Sequence, residues 1–515
     1  MTFMIRTKQR VAKEVPSVIA QDVSSAMRRL SREWLVPSIV TLAAAAAWAW
    51  HGALPLNHDV AWIWEGAGRL LYGARFGSGV DDVNPPLAWW LTEIPAALSQ
   101  TTGLSASISF SGFLAILGAA SILIALRLMP KEMPRSNLVL FAAFSAWAFL
   151  FMPGYDFGQR EHLMAMMTLP YLCAAASRAE GESAAPPLRL AAGIVAGIGF
   201  CLKPYFLFIP LLVEIWLWSR ARRMSFLRIE TVSMALVGVI YLLAVIACAP
   251  DYLALVVPKA AVGYGAYQAA FFDVAFQLLL KLAPIAFGVG LVAFANVPRG
   301  LSLTAQSFLV AAAGAALAYF IQSKGWAYQM YPVIAFASVA AALQDAPGKS
   351  LISAAGMAIV LLSGSQNAYL QIVDADGTRV RVAALSADFH HHSVFAFITS
   401  PRDIHPAIVE SGATWRAPAC CLYLLPAAVE GRSDAAVVAG KRQAQEQVSR
   451  LIRNAPDVVV VDDNRFKLGV GARAFDYLAY FQSDPKFAHF WRRYHEVSRI
   501  ENFRVFRRGE TPARS

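Results

Sequence analysis

Residues 35–60 read LVPSIVTLAAAAAWAWHGALPLNHDV. An apolar run ends in a polar turn that carries Asn57, His58 and Asp59. A second polar turn, Asn84-Pro85-Pro86-Leu87, follows before the next apolar stretch. Apolar segments then recur as far as Leu362, each roughly long enough to cross a ~30 Å hydrocarbon layer once neighbouring helices and interfacial residues extend the short ones. Of 515 residues, 57% are hydrophobic and 15% charged, whereas a soluble chain carries about a quarter charged residues. The chain reads as a many-pass membrane protein whose polar clusters gather at one face.

Eleven spans are expected, near residues 35–50, 106–126, 138–152, 157–176, 190–202, 205–218, 231–249, 282–295, 305–321, 328–343 and 351–362. The stretch 87–98 is apolar but short and is flanked by Pro86 and Pro95, so it is expected to lie flat on the outer surface. With it flat, the inner loops hold Arg127, Lys131 and Arg135, then Arg178 and Arg189, then Arg220, Arg222, Arg223 and Arg228, as the positive-inside rule requires.

Seven of the cations behind the net charge of +11 lie in a basic tail, residues 1–33, ahead of the first span. No aromatic-interleaved basic module accompanies it, so it reads as a cytoplasmic segment and nucleic acid is not an expected partner. It lacks the apolar core of a signal peptide, and the first span should remain as an anchor. An odd number of spans places the C-terminus outside.

Three regions follow from this reading: the tail 1–33, a transmembrane domain 34–365 with a large outer loop at 51–105, and an outer α/β domain 366–515. Within the last, 457–462 reads as a buried strand, 435–452 as an amphipathic helix and 497–508 as a terminal strand. Five cysteines are too few for a disulfide scaffold. Cys173, Cys201 and Cys248 read as small hydrophobes, and Cys420-Cys421 receive no role.

Four polar clusters fall at outer span ends: His58, Asp59, Glu65, Arg69, Arg75, Asp81, Asp82 and Asn84; Tyr155 to His162; Lys203-Pro204-Tyr205; and Ser323 to Tyr328. Charges avoid the mid-membrane because each costs about 2.5–3.5 kcal/mol there on insertion scales. That cost explains isolated charges at helix ends, but it does not call for this mixture of acids and cations on one side. A transferase that uses a lipid-phosphate donor does call for it: a carboxylate to take a hydroxyl proton, and fixed cations to hold a departing phosphate.

The order of these features resembles that of the type-C (GT-C) integral-membrane glycosyltransferases. The features are an acid after span one, Pro85-Pro86-Leu87 with Trp89-Trp90, an acid at the start of span four, a lysine turn, and Lys324-Gly325 followed by Tyr328. Bacterial aminoarabinose transferases and protein O-mannosyltransferases are most similar in arrangement, over about residues 35–343. The resemblance implies that Asp59 and Asp156 are the catalytic acids and that Lys203, Lys324 and Arg160 bind the donor phosphate. His58, Glu161, Trp326 and Tyr328 complete the candidate substrate pocket. It also implies a polyprenyl-phosphate sugar as donor. Asn84 stands where aminoarabinose transferases carry a lysine before proline, and His58-Asp59-Val60 lacks the Asp-Glu pair of the mannosyltransferases.

Plainer readings stand beside these. Asp59 is a favoured N-cap residue and would cap a helix from 60 to 72. Asp156 and Glu161 would form structural ion pairs with Arg160 or Arg69, and Lys203 would extend to the headgroups. His162 would be a packed core histidine. Asp81 and Asp82 read as solvated loop charges, and His390-His391-His392 as loop, since consecutive histidines do not converge on one metal. Gly77-Ser78-Gly79 reads as an ordinary turn. No phosphate-cradling glycine loop or nucleophilic triad motif occurs, so nucleotide hydrolysis and serine chemistry lack support.

The expected function is transfer of a sugar from a polyprenyl-phosphate donor to an envelope acceptor (lipopolysaccharide, polysaccharide, lipid or protein) at the periplasmic face of a bacterial inner membrane. The alternatives are a lipid-linked-sugar flippase and a non-catalytic subunit of a polysaccharide assembly machine. No cofactor motif is written in the chain; a divalent cation (Mg or Mn) shared by Asp59 and Asp156 is left open.

Overall fold

Each apolar segment read from the sequence falls on a helix in the computed structural model. The structure describes residues 34–221, 227–297, 300–343, 351–431, 433–471 and 473–509. The basic tail 1–33, Arg222 and Arg223 lie outside the described residues.

The helices run α1 (Trp34–Gly52), α2 (His58–Leu71), α3 (Pro86–Thr102), α4 (Ala106–Leu128), α5 (Arg135–Ala146), α6 (Arg160–Ala179), α7 (Pro186–Cys201), α8 (Phe208–Ala221), α9 (Ile229–Cys248), α10 (Val257–Gly263), α11 (Phe271–Ala295), α12 (Leu303–Gln322), α13 (Ala327–Ala342) and α14 (Leu351–Gly364). Among the described residues, five of them (α1, α4, α9, α11 and α12) are long and apolar enough to cross a membrane unaided. Others are shorter: α5 is extended by a π-helical turn, Trp147–Phe151, and α14 continues at a 44° bend into α15 (Gln366–Ile372). Leucines 236, 242 and 243 of α9 and Phe276, Leu279 and Leu280 of α11 are exposed, which leaves apolar faces suited to lipid.

At the middle stands α6, buried on every side from Arg160 to Ser177. Helices α4, α7, α12 and α13 surround it. Its first residues are charged, so the core of the bundle ends in a buried polar head.

Local sequence explains how the outer layer is set against that head. Asn57 caps α2 by accepting a hydrogen bond from the Asp59 amide at 2.9 Å. The cap is thus Asn57, and the capping role considered for Asp59 is not the one it plays. Pro86 opens α3 at the position where a missing N–H costs nothing. Helices α2 and α3 then pack face to face, with the Trp62 and Trp89 rings edge-on at 5.8 Å.

The loop between them is tied down by two carboxylates expected to be solvated. That expectation is overturned: Asp81 and Asp82 are 4% and 7% exposed. Asp82 accepts from the Trp62 indole at 3.0 Å and from the Asn84 amide N–H at 2.7 Å. Asp81 pairs with Lys259 at 3.2 Å and accepts from the Tyr423 hydroxyl at 3.3 Å. The loop is buried because later parts of the chain cover it, which its own composition does not reveal.

After α15 come α16 (Thr378–Phe389), β1 (Ser393–Phe397), α17 (Ile404–Ser411), β2 (Thr414–Trp415), α18 (Leu425–Glu430), α19 (Asp434–Asn454), β3 (Val458–Asp462), α20 (Tyr477–Phe481), α21 (Pro485–Trp491), β4 (Tyr494–Ile500) and β5 (Phe503–Arg508). The strands form one sheet in the order β2-β1-β3-β5-β4, with β2, β1 and β3 parallel and the β4–β5 hairpin antiparallel. The single terminal strand expected at 497–508 is in fact this hairpin: Glu501 adopts φ +49° and turns the chain.

The sheet region is bolted to α2. Arg69 donates to the Ala417 and Trp415 carbonyls, both at 2.7 Å, and to Glu65 at 2.5 Å. Glu65 in turn meets the buried His405 of α17 at 3.1 Å.

The α2–α3 contact yields a stability prediction. A Cβ at Gly66 would stand 2.2 Å from the Trp89 ring, whereas one at Gly68 meets nothing within 4 Å. Gly66→Ala is expected to cost about 1–3 kcal/mol through overpacking, while Gly68→Ala gains about 0.5–1 kcal/mol from helix propensity. Thermal unfolding of both variants in nanodiscs checks this; equal shifts would mean that the two helices do not pack as described.

Candidate active site

Arg160 and Glu161 open α6, so their side chains start at the one polar end of a buried helix. Arg160 is 3% and Glu161 1% exposed. Charges so buried persist only with partners of opposite sign, and distant elements supply them. Asp59, from α2, accepts from Arg160 Nη2 at 3.2 Å and from the Gln159 amide at 3.1 Å. Lys203, from the turn between α7 and α8, donates to Glu161 at 2.6 Å.

These contacts settle several alternatives. Lys203 is 9% exposed and turned inward, so it does not extend to a headgroup layer. Glu161 pairs with Lys203 rather than with Arg160 or Arg69. His162 receives a hydrogen bond from the Gly158 N–H at 3.0 Å and donates to the Phe149 carbonyl at 2.7 Å. Both ring nitrogens are used, so it is a neutral structural histidine that joins α6 to the π-helical turn.

The polar head is not fully satisfied. Arg160 Nε and Nη1, Glu161 Oε2, Gln159 Oε1 and Gln329 Oε1 are buried with no hydrogen-bond partner among the described residues. The Tyr328 ring lies between the cations, 5.8 Å from the Arg160 guanidinium and 5.4 Å from Lys203 Nζ. Two unpaired guanidinium N–H groups in a buried setting are the donors that a phosphate or another oxyanion would take.

Lys324 stands apart from this group. Its ammonium sits in an aromatic cage, 3.3 Å from the centre of Tyr264, 5.0 Å from Trp326 and 5.5 Å from Tyr267. Burial in the cage and repulsion by Lys203 pull it down to about 7. The sequence reading found Lys324 and Trp326 but missed Tyr264 and Tyr267, which lie in Gly263-Tyr264-Gly265-Ala266-Tyr267, outside every expected span and polar cluster.

The two acids differ sharply. Burial disfavours the Asp59 anion, but His58, Arg160 and the Gln159 amide more than offset it and hold its carboxyl below the usual range. Asp156 ends a short 3-10 turn, Gly154–Asp156. Burial, with the Asp59 and Glu161 carboxylates nearby, pushes it up to about 7. Its side chain makes no ion pair among the described residues. His58 stands between the acids and the neighbouring loop, with Nδ1 3.0 Å from the Tyr155 hydroxyl and Nε2 3.7 Å from Asp59.

A divalent ion would need a set of converging ligands. Among the described residues no group of three His, Cys, Asp or Glu side chains forms one, and Asp59 is already engaged by Arg160. Cys420 and Cys421 are buried with their sulfurs 3.2 Å apart. His390 and His391 sit in a turn, with His391 at φ +57°.

No family model matches this chain, and no curated protein does so at a significant level. Solved structures do. ArnT from Cupriavidus metallidurans bound to undecaprenyl phosphate superposes with a TM-score of 0.52 at 12% identity, over 91% of this chain and 97% of that one. The apo state of the same protein gives 0.51 at 12% identity, over 93% and 98%. The archaeal oligosaccharyltransferase AglB from Archaeoglobus fulgidus, in complex with an inhibitory peptide and a dolichol-phosphate, gives 0.40 at 12% identity, over 84% and 70%. The chain therefore has an ArnT-like fold along nearly its whole length, in keeping with the type-C resemblance of its motifs.

Proposed function

We propose that this protein is a glycosyltransferase of a bacterial inner membrane that moves a sugar from a polyprenyl-phosphate donor to an envelope acceptor at the periplasmic face. The observation that carries the reading is the pair of unpaired, buried Arg160 N–H groups beside Asp59, on a fold like that of a protein that binds undecaprenyl phosphate. The eleven-span topology, with residues 1–33 inside and the sheet region outside, belongs to the same proposal.

Each residue has a place in the reaction. Arg160 and Lys203 receive the donor phosphate, and their fixed charge stabilises the negative charge that grows as the bond from the sugar's anomeric carbon to the phosphate oxygen breaks. Asp59 holds Arg160 in position and accepts a hydrogen bond from the incoming hydroxyl. Asp156 takes the proton from that hydroxyl as its oxygen bonds to the anomeric carbon. A base titrating near the working pH is suited to this step. Direct displacement inverts the anomeric centre.

The primary experiment uses nanodisc-embedded protein with a panel of polyprenyl-phosphate sugars and a membrane extract as the acceptor source, and measures release of polyprenyl phosphate. Asp59→Asn removes the counter-charge that holds Arg160 and is expected to lower release by about 10²–10³-fold; unchanged release would remove Asp59 from the site.

The pH profile tests the second acid. A carboxyl raised to about 7 acts as a base only above that value, so wild-type kcat/KM should rise as pH passes through about 7. Asp156→Asn should be slow at all pH values and lack this rising limb. Retention of the limb in the variant would assign the base to another group.

A further inference from the structure

We infer that the acceptor is a neutral saccharide, held in a cleft of the C-terminal sheet region next to the catalytic carboxylates. The inference rests on the glycosyltransferase reading above and names the substrate class for the acceptor side of that site.

The cleft has a volume of about 390 Å³ and opens at the carboxyl ends of β1 and β3. That is where open α/β sheets hold ligands, because the chain leaves the parallel strands there in diverging loops. Thr399 and Ser400 follow β1 into it, Asp462 ends β3 there, Asn464 follows, and Phe466 also lines it, 57% exposed.

Asp403 is its most unusual member. The residue is 4% exposed and holds φ +64°, a conformation that non-glycine residues rarely adopt. One carboxylate oxygen accepts from Arg381 Nε at 2.8 Å, while the other is buried with no partner among the described residues. A buried acceptor without a donor is costly, and backbone strain of this kind tends to collect at ligand sites. A ligand hydroxyl supplies the missing donor.

Position and chemistry narrow the ligand. Asp403 stands at the N-cap of α17, whose His405 meets Glu65 of α2 at 3.1 Å, and α2 also carries Asp59. Arg402 is paired with Asp376 and Arg381 with Asp403 and Glu501, so the cations are neutralised and an anionic ligand gains little. Ile398, Leu468 and Phe503 line it among charged and amide groups, so a lipid tail would leave those polar atoms unmatched. Hydroxyl-rich chains match the carboxylate and amide acceptors, and the flat C–H face of a sugar ring matches exposed Phe466.

Full-length protein in nanodiscs tests this by saturation-transfer NMR with short neutral gluco-, galacto- and manno-oligosaccharides as probes. Uronic-acid oligosaccharides and Ser/Thr-rich peptides run as competing probes. Transfer to the neutral sugars is expected, with affinity weakened at least about tenfold in Asp403→Asn and in Phe466→Ala. Phe466 is exposed, so its variant remains informative if Asp403→Asn fails to fold. Equal transfer in wild type and Phe466→Ala, transfer only to acidic sugars or peptides, or no transfer at all would overturn the inference. Undecaprenyl-phosphate binding by native mass spectrometry is read in parallel. Donor binding without sugar transfer defeats the acceptor inference alone, whereas loss of donor binding defeats the glycosyltransferase reading beneath it.

Discussion

The polar head of α6 is the constraint around which the rest of the molecule is arranged. Arg160 and Glu161 are buried at the end of an otherwise apolar helix, and each requires a counter-charge that α6 cannot provide. Asp59 reaches Arg160 from across a hundred residues of sequence, and Lys203 reaches Glu161 from the α7–α8 turn. Removing one partner of such a pair costs about 3–5 kcal/mol because the other is left buried and uncompensated. Helix α2 and the α7–α8 turn are therefore held in place by the same contacts that assemble the candidate site.

Helix α2 extends this coupling outward. Asp59 at its start faces the bundle, and Glu65 and Arg69 further along face the sheet region. Arg69 uses its guanidinium on three backbone carbonyls, those of Gly79, Trp415 and Ala417, and on Glu65. His405 is hydrogen-bonded at both ring nitrogens, to Glu65 and to the Cys420 carbonyl at 2.9 Å. Asp403 lies two residues before His405. One helix with two polar ends thus links the buried cations of the bundle to the sheet region.

Much of the architecture was legible because it rests on periodic apolar content. All eleven proposed spans fall on helices, and the strand at 457–462 and the amphipathic helix at 435–452 are there as β3 and α19. The individual charged residues were legible too, since acids and cations at outer helix ends are rare enough to be noticed. Their pairings were not. Nothing local distinguishes Lys203 paired to Glu161 from Lys203 in the headgroups, because the partner lies 42 positions away. Asp81 and Asp82 looked like loop charges for the same reason: Lys259, Tyr423 and Trp62 cover them only in the fold. The aromatic cage of Lys324 draws two of its rings from a connector with no charge to draw attention. Asp403 lies in a polar region where one more aspartate carries no signal until its backbone angle and its lone oxygen are known.

The contrast between the two acids bears on how labour is divided in the proposed reaction. Two carboxylates whose surroundings push their proton affinities apart are suited to different tasks. Asp59 is held ionised by Arg160, so it is a poor proton acceptor but a lasting anchor for a cation and a hydroxyl. Asp156 is buried and feels Asp59 and Glu161 as like charges, which outweigh the pull of Arg402 and keep its proton affinity high. Exchanging the roles would require Arg160 to release Asp59 during each turnover, and that would leave a buried guanidinium unpaired just as the phosphate it serves acquires charge. The arrangement avoids this: Arg160 keeps one N–H on Asp59 throughout and has two others left for the donor. In the proposed reaction the same arginine ties the acceptor's hydrogen-bonding carboxylate to the leaving phosphate.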